Sequence, residues 1–356
     1  MKVEPVFFSK LPQDIKPTWD HLLSRSFRPN FQYDFEYMLA WTEHLREQWS
    51  PFLLLVKEGD TVKGIVPLMY MDEKRRGVLP YRRIRFLGST RTDFSTVLAE
   101  SRDMAEVINA SLNWLFSGNL RWELLILDDL MEGNPAVEAL RAWLEASSVE
   151  YSIDEGKYYF VDLDRPWEEV WQETSKKAVR RSINLARNRI TKAGNWEMII
   201  DPEWDMEKIV AEASPMHIER QEELDRDSFY MDPDSIAFLQ KIFKHNRERG
   251  IFKSCWLLFE DHYIAYMLGF EKDNVYYAWN MAFNPDYASF FPSKLLLFEL
   301  IKDCHNKKLT EFSFMRGEGE YKAKWTKHYR VNYRFNIKNT QSLYGKTISL
   351  LEKTLK

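Results

Sequence analysis

The sequence is poor in cysteine and has no long apolar stretch. Two cysteines, Cys255 and Cys304, occur among 356 residues, which is too few for a disulfide framework, and no CxxC pair indicates a zinc site. The longest run without a charged residue, Val107–Leu120, has 14 residues, whereas a membrane-spanning helix needs about 20. The amino-terminal sequence MKVEPVFFSKLPQD lacks the basic and then apolar pattern of a signal peptide. We therefore expect a cytoplasmic protein without a membrane span.

Motifs for several kinds of chemistry are also missing. The seven histidines show no HxxxH or HExxH spacing, so the sequence predicts no metal site. Neither a GxSxG elbow nor a GxxxxGK(S/T) loop occurs, which argues against a serine triad and against P-loop phosphate binding. The 50 basic and 54 acidic residues give a net charge of -4. This near balance argues against a polyanionic partner such as bulk DNA.

What the chain does contain is a pattern that occurs twice. Pro51–Tyr70 and Ser254–Phe270 each consist of an apolar run, a polar turn and a second apolar run, which is the signature of a β-hairpin. The two hairpins lie in register at a spacing of 201 residues, since Asp60 corresponds to Asp261. In each half, stretches with apolar residues at helical spacing precede the hairpin, and a strand, a helix and another strand follow it.

This repeat predicts the fold class and the domain organisation. The length suits about two domains, and a composition of 45% hydrophobic and 29% charged residues is typical of a folded protein. The strands are nearly continuous apolar runs, so we expect an α/β protein (α+β in its mixed sheets) with two domains, each a twisted mixed sheet flanked by helices. The predicted domains are residues 1–156 and 157–339, the second with the active site, followed by a helix at 340–356.

A basic segment lies near the start of the second half. Lys176–Lys192 contains seven basic residues and no acidic one, and Val179, Ile183, Ala186 and Ile190 fall on one face of the predicted helix. The cations on the remaining faces allow two interpretations. They either form a solvated surface, or they bind the phosphates of a nucleotide, CoA or RNA through charge-assisted hydrogen bonds.

Two segments late in the chain are the richest in candidate site residues. In NPDYASFFPSK, Ser293 and Lys294 begin a predicted helix after a strand, and the free N–H groups of a helix N-terminus attract anions. In FSFMRGEGEYKAKW, charged residues surround two glycines directly after a strand, and ligands bind at strand ends in open α/β sheets. An ordinary helix cap and a solvated loop are the simpler explanations, and the residues alone leave both open.

Together with SKKAVRRSINLARNRITKAG and, in the first half, IRFLGSTRTDF, these segments resemble the FemAB/CelD-like, BioF-type acetyltransferases of the GNAT superfamily. The resemblance extends from about Trp19 to Tyr333 and implies two tandem GNAT-like domains that transfer an acyl group from an activated donor to an amine. The chain departs from the family in two places, with Ser313 where Asp is common and Pro292-Ser293 where Pro-Gly is common. It also lacks the Q/RxxGxG/A loop with which typical GNAT enzymes hold the pyrophosphate of CoA.

The resemblance further implies roles for individual residues. The family's GRGxxxYK-type segment corresponds to Met315-Arg316-Gly317 and Tyr321-Lys322. We expect Lys322 to hold the oxyanion or a donor phosphate, Tyr321 to protonate the leaving group and Glu318 to accept the amine proton. Tyr287 and Asp286 are the alternatives for the last two roles. The residues expected to bind the donor, acyl-CoA, are Ser293, Lys294, Tyr287 and Arg316. The residues expected to bind the substrate are Arg180, Arg181, Trp325 and Asp93.

Three functions are consistent with these features. The first is a CoA-dependent N-acyltransferase, most simply an acetyltransferase, that acts on a small amine, an amino sugar or a polysaccharide or cell-wall precursor. The second is a FemAB-type transferase that uses aminoacyl-tRNA to add an amino acid to a peptidoglycan precursor. The third is a catalytically inactive binding protein with the GNAT fold. A nucleic-acid partner is expected only for the second function, and no metal is expected for any of them.

Overall fold

The structure is a computed structural model that describes residues 1–44, 48–75, 79–89, 91–174, 177–317, 319–342 and 344–347. The chain divides into two compact units. The first unit consists of Met1–Gly156 and Arg330–Lys356, and the second consists of Lys157–Tyr329. In the described ranges, no helix is both long and apolar enough to cross a bilayer.

Helices and strands alternate along both units. Those of the first part of the chain are β1 (Lys2–Phe7), α1 (Lys16–Arg25), α2 (Phe35–His44), β2 (Ser50–Glu58), β3 (Thr61–Arg75), β4 (Leu79–Phe86), β5 (Leu98–Ala99), α3 (Met104–Phe116), β6 (Leu124–Met131), α4 (Pro135–Ala146) and β7 (Glu150–Asp162). Those that follow are α5 (Trp167–Thr174), α6 (Lys177–Ala193), β8 (Trp196–Ile200), α7 (Met206–Glu222), α8 (Pro233–Glu248), β9 (Phe252–Phe259), β10 (His262–Lys272), β11 (Val275–Phe283), α9 (Pro292–Asn306), β12 (Glu311–Ser313), α10 (Lys322–Trp325) and β13 (Tyr329–Lys338).

The first unit is built on a mixed sheet with the strand order β1-β2-β3-β4-β6-β13. Strands β4 and β6 are parallel, and the other neighbours in this order are antiparallel. Inward-facing side chains such as Phe52, Leu54 and Ile84 are fully buried against α3 and α4. The apolar runs of these strands explain the sheet. They give it an apolar face, and helices cover that face.

The second unit repeats this arrangement with the strand order β7-β12-β11-β10-β9-β8. Strands β11 and β12 are parallel, and the remaining neighbours are antiparallel. Helix α6 buries Val179, Ile183, Ala186 and Ile190, the four residues that the sequence places on one face. Helix α9 packs on the same core through a run of leucines. The predicted fold class, mixed sheets with flanking helices, is confirmed.

Two features differ from the sequence interpretation. Strand β13 pairs with β6 from Asn332↔Met131 to Lys338↔Leu124, so residues 330–339, which the sequence interpretation gives to the second domain, lie in the first compact unit. Short strands β1 and β8 were not expected, because neither is long or apolar enough to give a clear pattern. Of the predicted helix at 340–356, residues 344–347 are helical, and 343 and 348–356 lie outside the described residues.

Candidate functional site

A cavity of about 800 Å³ lies within the second unit. It is enclosed by α6 and α7 on one side, by β11, and by the start of α9 and the segment after β12. Its lining residues are Ala178, Val179, Ser182, His217, Arg220, Gln221, Leu224, Met267, residues 278–283, Ser293, Lys294, Leu297, Phe314, Tyr321, Lys324 and Trp325. Most of the lining is apolar or aromatic, and a few polar groups converge on it, which is typical of a site for a small organic ligand.

The cavity opens where two parallel strands separate. Strands β11 and β12 pair over three residues, Val275–Tyr277 with Glu311–Ser313. Strand β11 then continues along the cavity as residues 278–283, paired with β10 but no longer with β12. Strand β12 ends because the chain turns away through left-handed conformations at Met315 (φ 55°) and Gly317 (φ 106°). The result is a strand edge along the cavity that β12 does not pair with, and such an edge can pair with an extended ligand.

A bulge lies in the same stretch of β11. Leu268 of β10 pairs with Asn280, whereas the next residue, Gly269, pairs with Ala278, so Trp279 is the extra residue. A bulge bends its strand and redirects side chains locally. It therefore explains how the consecutive residues Trp279 and Asn280 both line the cavity.

Helix α9 begins at the cavity. Phe291 precedes it in the left-handed conformation (φ 51°), and Pro292 occupies the first turn, where its missing N–H costs nothing. Ser293 and Lys294, both expected to bind the donor, line the cavity. The charged lining residues in the described part of the chain are three cations, Arg220, Lys294 and Lys324. A helix N-terminus with cations nearby favours an anionic ligand.

Lys322 contacts the main chain of the segment after β12 through its side chain. Its side chain is 5% exposed, and Nζ donates to three main-chain carbonyl oxygens, those of Phe314 (2.8 Å), Met315 (3.3 Å) and Arg316 (2.6 Å). An ammonium has three N–H donors, so an oxyanion or phosphate would have to displace these contacts. In the structure Lys322 holds the turn after β12 and is not among the cavity residues, and its catalytic role stays a prediction.

Tyr321 and Trp325 line the cavity, as expected for site residues. Trp325 is buried, while Tyr321 is 46% exposed and meets the ring of Phe314 edge-on, with 6.3 Å between the ring centroids. Desolvation raises the pKa of the Tyr321 phenol. The phenol is therefore protonated at neutral pH and able to donate a proton or a hydrogen bond.

Other expected residues lie away from the cavity. Tyr287 packs in a surface cluster with Phe259 and Phe290, because the turn that carries it folds against β9 and β10. Arg316 is exposed and contributes its carbonyl to Lys322.

Helix α6 reaches the cavity through the small residues Ala178 and Ser182. Its expected substrate-binding residues Arg180 and Arg181 are on other faces of the helix, and Arg180 Nη1 donates to the carbonyl of Gln172 at 3.4 Å. Further along the helix, Arg187 pairs with Glu299.

Of the remaining expected residues, Asp93 belongs to the first unit, where its carboxylate accepts a hydrogen bond from Gln32 Nε2 at 3.1 Å. Asp286, the alternative proton acceptor, is exposed on the turn before α9 and does not line the cavity. Glu318 lies outside the described residues.

Several polar residues that line the cavity were not expected, and His217 and Asn280 are two of them. His217 comes from α7 and is 5% exposed, and Asn280 comes from the bulged part of β11. The spacing of histidines indicates metal ligands only, so the sequence gave no reason to select His217. Asn280 lies within a predicted strand, and no sequence pattern distinguishes its direction from that of its neighbours.

Comparison with known proteins gives a family match within the second unit. Residues 177–323 match the family model described as the acetyltransferase (GNAT) domain. That range contains all of the cavity-lining residues except Lys324 and Trp325. No curated protein is similar enough in sequence to match the chain.

Three solved structures are similar along nearly the whole chain. FemX has a TM-score of 0.59 and 12% identity, and covers 92% of this chain and 98% of its own. A conserved protein of unknown function from Bacteroides thetaiotaomicron has a TM-score of 0.55 and 10% identity, with 93% and 99% covered. The C-terminal domain of a putative lysylphosphatidylglycerol synthetase from Agrobacterium fabrum has a TM-score of 0.52 and 11% identity, with 96% of each chain covered. At these identities the similarity concerns the fold.

Proposed function

We propose that this chain, whose residues 177–323 match the acetyltransferase (GNAT) domain and whose fold is similar to that of FemX, transfers an acyl group from an acyl-CoA donor to an amine. The acceptor is a small molecule, an amino sugar or a polysaccharide or cell-wall precursor. The observation that carries the proposal is the open edge of β11 along a cavity of about 800 Å³ whose charged lining residues are cations.

The residues of the cavity fit such a donor. Its extended pantetheine arm carries amide groups, which can pair with the free main-chain groups of residues 278–283 in the manner of an added strand. Its phosphates would meet the start of α9, where the N–H of Ser293 and the ammonium of Lys294 are available at the cavity. Lys294 Nζ lies 5.0 Å from the ring of Phe291, so the ammonium is already placed over this turn.

Acyl transfer to an amine requires a neutral nucleophile, a stabilised oxyanion and a proton for the leaving group. We assign the last task to Tyr321, because this residue lines the cavity and its phenol, whose pKa is raised, is protonated at neutral pH. Trp325 would form an apolar wall that excludes water from the reacting groups. Glu318 remains a proposal for the proton acceptor on the basis of the family resemblance alone.

Calorimetric titration with CoA and acetyl-CoA tests the proposal, together with a thioester-release assay over a panel of amines. We expect binding that weakens at least tenfold in Lys294→Glu, since the substitution reverses a charge at the phosphate site. Lys244→Glu is the matched control, because Lys244 is exposed on α8 and does not line the cavity. Equal loss in both variants, or no binding of either ligand by the wild type, contradicts the proposal.

The two alternatives give different results in the same experiments. An aminoacyl-tRNA-dependent transferase would bind tRNA with an affinity that falls steeply with salt, and it would leave acetyl-CoA intact. A binding protein that lacks catalysis would bind acyl-CoA through Lys294 but release no thiol with any amine. Release of CoA that depends on an amine favours the acyltransferase over both.

A further inference from the structure

Two neutral polar side chains of the cavity, His217 and Asn280, have the same arrangement behind them. Each makes a hydrogen bond to a buried hydroxyl through one of its two polar atoms: His217 to Ser228, and Asn280 to Tyr266. Both hydroxyl residues are almost completely buried, with 4% exposure for Ser228 and 0% for Tyr266. The direction of each hydrogen bond decides what the cavity-facing atom can do.

The contact between His217 and Ser228 fixes the imidazole tautomer. His217 Nδ1 lies 2.8 Å from Ser228 Oγ, and Ser228 Oγ already accepts the main-chain N–H of Tyr230 at 3.2 Å. In the part of the chain that the structure describes, Nδ1 is the one acceptor within hydrogen-bond distance of the Ser228 hydroxyl. Since an unpaired buried O–H is costly, the hydroxyl donates to Nδ1. The ring proton is then on Nε2, and Nε2–H is a donor.

The imidazole is also neutral. Its ring packs against Phe229 and Tyr230, with centroids 4.5 Å and 5.2 Å away, and burial lowers its pKa to about 4. A neutral ring with the proton on Nε2 donates a hydrogen bond at neutral pH without carrying a charge. This state needs no counterion in an apolar environment.

The amide of Asn280 is oriented in the same way. The Tyr266 hydroxyl donates to Asn280 Oδ1 at 2.6 Å, and burial raises the pKa of this phenol well above its usual value, so the phenol keeps its proton. The amide oxygen therefore accepts a hydrogen bond from Tyr266, and the NH₂ group is the hydrogen-bond donor of the side chain. Asn280 lies at the bulge of β11, beside the strand edge proposed for the donor.

We propose that His217 Nε2–H and the Asn280 amide N–H are a pair of neutral donors that bind the carbonyl oxygen of the acyl donor. The inference rests on the proposed function and adds the groups that would stabilise the oxyanion. The amine nitrogen bonds to the carbonyl carbon and the C–S bond breaks. The thiolate takes a proton from Tyr321, the proton that the amine loses returns to the Tyr321 phenolate, and the two donors transfer none. Donors held in place before the reaction, in a site from which water is excluded, stabilise developing charge strongly.

The tautomer is tested first, without substrate. Nitrogen-15 NMR of the wild-type protein at pH 7, with histidines labelled, distinguishes neutral rings protonated at Nδ1 from those protonated at Nε2. We expect the signal that disappears in His217→Gln to be a neutral ring with its proton on Nε2, and we expect Ser228→Ala to give a mixture of tautomers. A ring protonated at Nδ1 in the wild type overturns the inference whether or not the protein is an enzyme.

The contact with the acyl group is tested by infrared spectroscopy of bound acetyl-CoA with a carbon-13 carbonyl. Hydrogen bonding lowers the carbonyl stretching frequency, so we expect it to rise in His217→Leu and in Asn280→Leu. The kcat should fall about 100-fold in either variant, with a smaller loss in His217→Gln, whose amide retains a donor. His245→Leu is the control for the same change on α8, outside the cavity. Asn280→Asp replaces the donor with an acceptor and should lose at least as much as Asn280→Leu.

The outcomes separate this inference from the proposed function. If the wild type binds and uses acetyl-CoA but the carbonyl frequency is unchanged in His217→Leu and Asn280→Leu, the two donors are wrong and the acyltransferase stands. If the wild type binds no acyl-CoA, the proposed function fails, and the thioester fails with it as the acceptor of these hydrogen bonds. If His217→Leu does not fold, the wild-type tautomer and the Asn280 variants still decide.

Discussion

Replacement of Lys322 by methionine is the substitution that best separates the structure from the sequence-based expectation. A catalytic cation could be removed with little effect on stability. The structure instead shows an ammonium that donates to the carbonyls of Phe314, Met315 and Arg316. Methionine keeps a similar stem in the buried space but removes all three donors. We therefore expect Lys322→Met to be destabilised.

The size of the effect follows from which carbonyls are buried. Phe314 and Met315 are 4% and 2% exposed, so water cannot replace the lost donor there, whereas the carbonyl of the exposed Arg316 can be hydrated. Two buried acceptors without partners cost about 2 to 6 kcal/mol together. Part of this is offset because the folded protein no longer has to desolvate an ammonium, which leaves a net loss of about 2 to 4 kcal/mol.

Hydrogen exchange read by mass spectrometry is the suitable assay, because a chain with two compact units need not unfold in one step. Peptides that cover 311–325 should exchange faster in Lys322→Met, and peptides of the first unit should be unchanged. Lys324→Met is the control, since Lys324 is two residues away and exposed, and a surface change of this kind stays within about 0.5 kcal/mol. If both variants exchange like the wild type in 311–325, Lys322 does not hold the turn and the reasoning is refuted.

Other substitutions test separate parts of the structure. Trp325→Ala should lower the free energy of unfolding of the second unit by about 3 to 5 kcal/mol, because it empties a buried site; a loss under 1 kcal/mol in chemical denaturation contradicts its burial. As the pH falls from about 6.5 to 4, the free energy of unfolding should decrease by up to about 3 kcal/mol, because His217 stays neutral in the folded state. The free energy of unfolding of His217→Gln should therefore depend less on pH, and parallel pH profiles of the two proteins contradict this. Gly64→Ala places a Cβ 2.6 Å from the methyls of Val107 and should cost about 1 to 3 kcal/mol, with a smaller cost when Val107→Ala is present. Tyr321→Phe should reduce kcat about 10- to 100-fold with little change in KM, which steady-state kinetics with acetyl-CoA can measure.

The sequence was informative where a single element carries the signal. Helical spacing identified the buried face of α6, and the two hairpins were recognised because alternating apolar runs and a polar turn are local features. Strand β13 shows the opposite case. Its pairing with β6 across about 200 residues of chain depends on long-range packing that a local pattern does not encode. That is why its unit was assigned differently.

The candidate site shows the same difference between local sequence signals and long-range packing. Ser293, Lys294 and Tyr321 were predicted because helix starts and strand ends are positions where ligands bind, and Trp325 was predicted from the family resemblance; all four line the cavity. His217 was missed because its partner Ser228 is 11 residues away and reaches it only through the turn that follows α7. Whether a side chain faces a cavity or its own main chain is decided by tertiary structure, which is also why the sequence did not show that the Lys322 ammonium contacts main-chain carbonyls.

The position of Lys322 changes how a loss of activity in a Lys322 variant would be interpreted. Its three hydrogen bonds hold the turn that leads from β12, and the two rings at the ends of this turn, Phe314 and Tyr321, meet edge-on at the cavity. Removal of the ammonium therefore displaces Tyr321, and a displacement of about 1 Å at a reacting group can lower a rate about 100-fold. A tenfold or larger loss in Lys322→Ala would thus not identify a catalytic cation. A positioning role predicts that Lys322→Ala and Tyr321→Phe are not additive, because the second change removes the hydroxyl that the first misplaces. Multiplied losses in the double variant would instead restore a direct role for the ammonium.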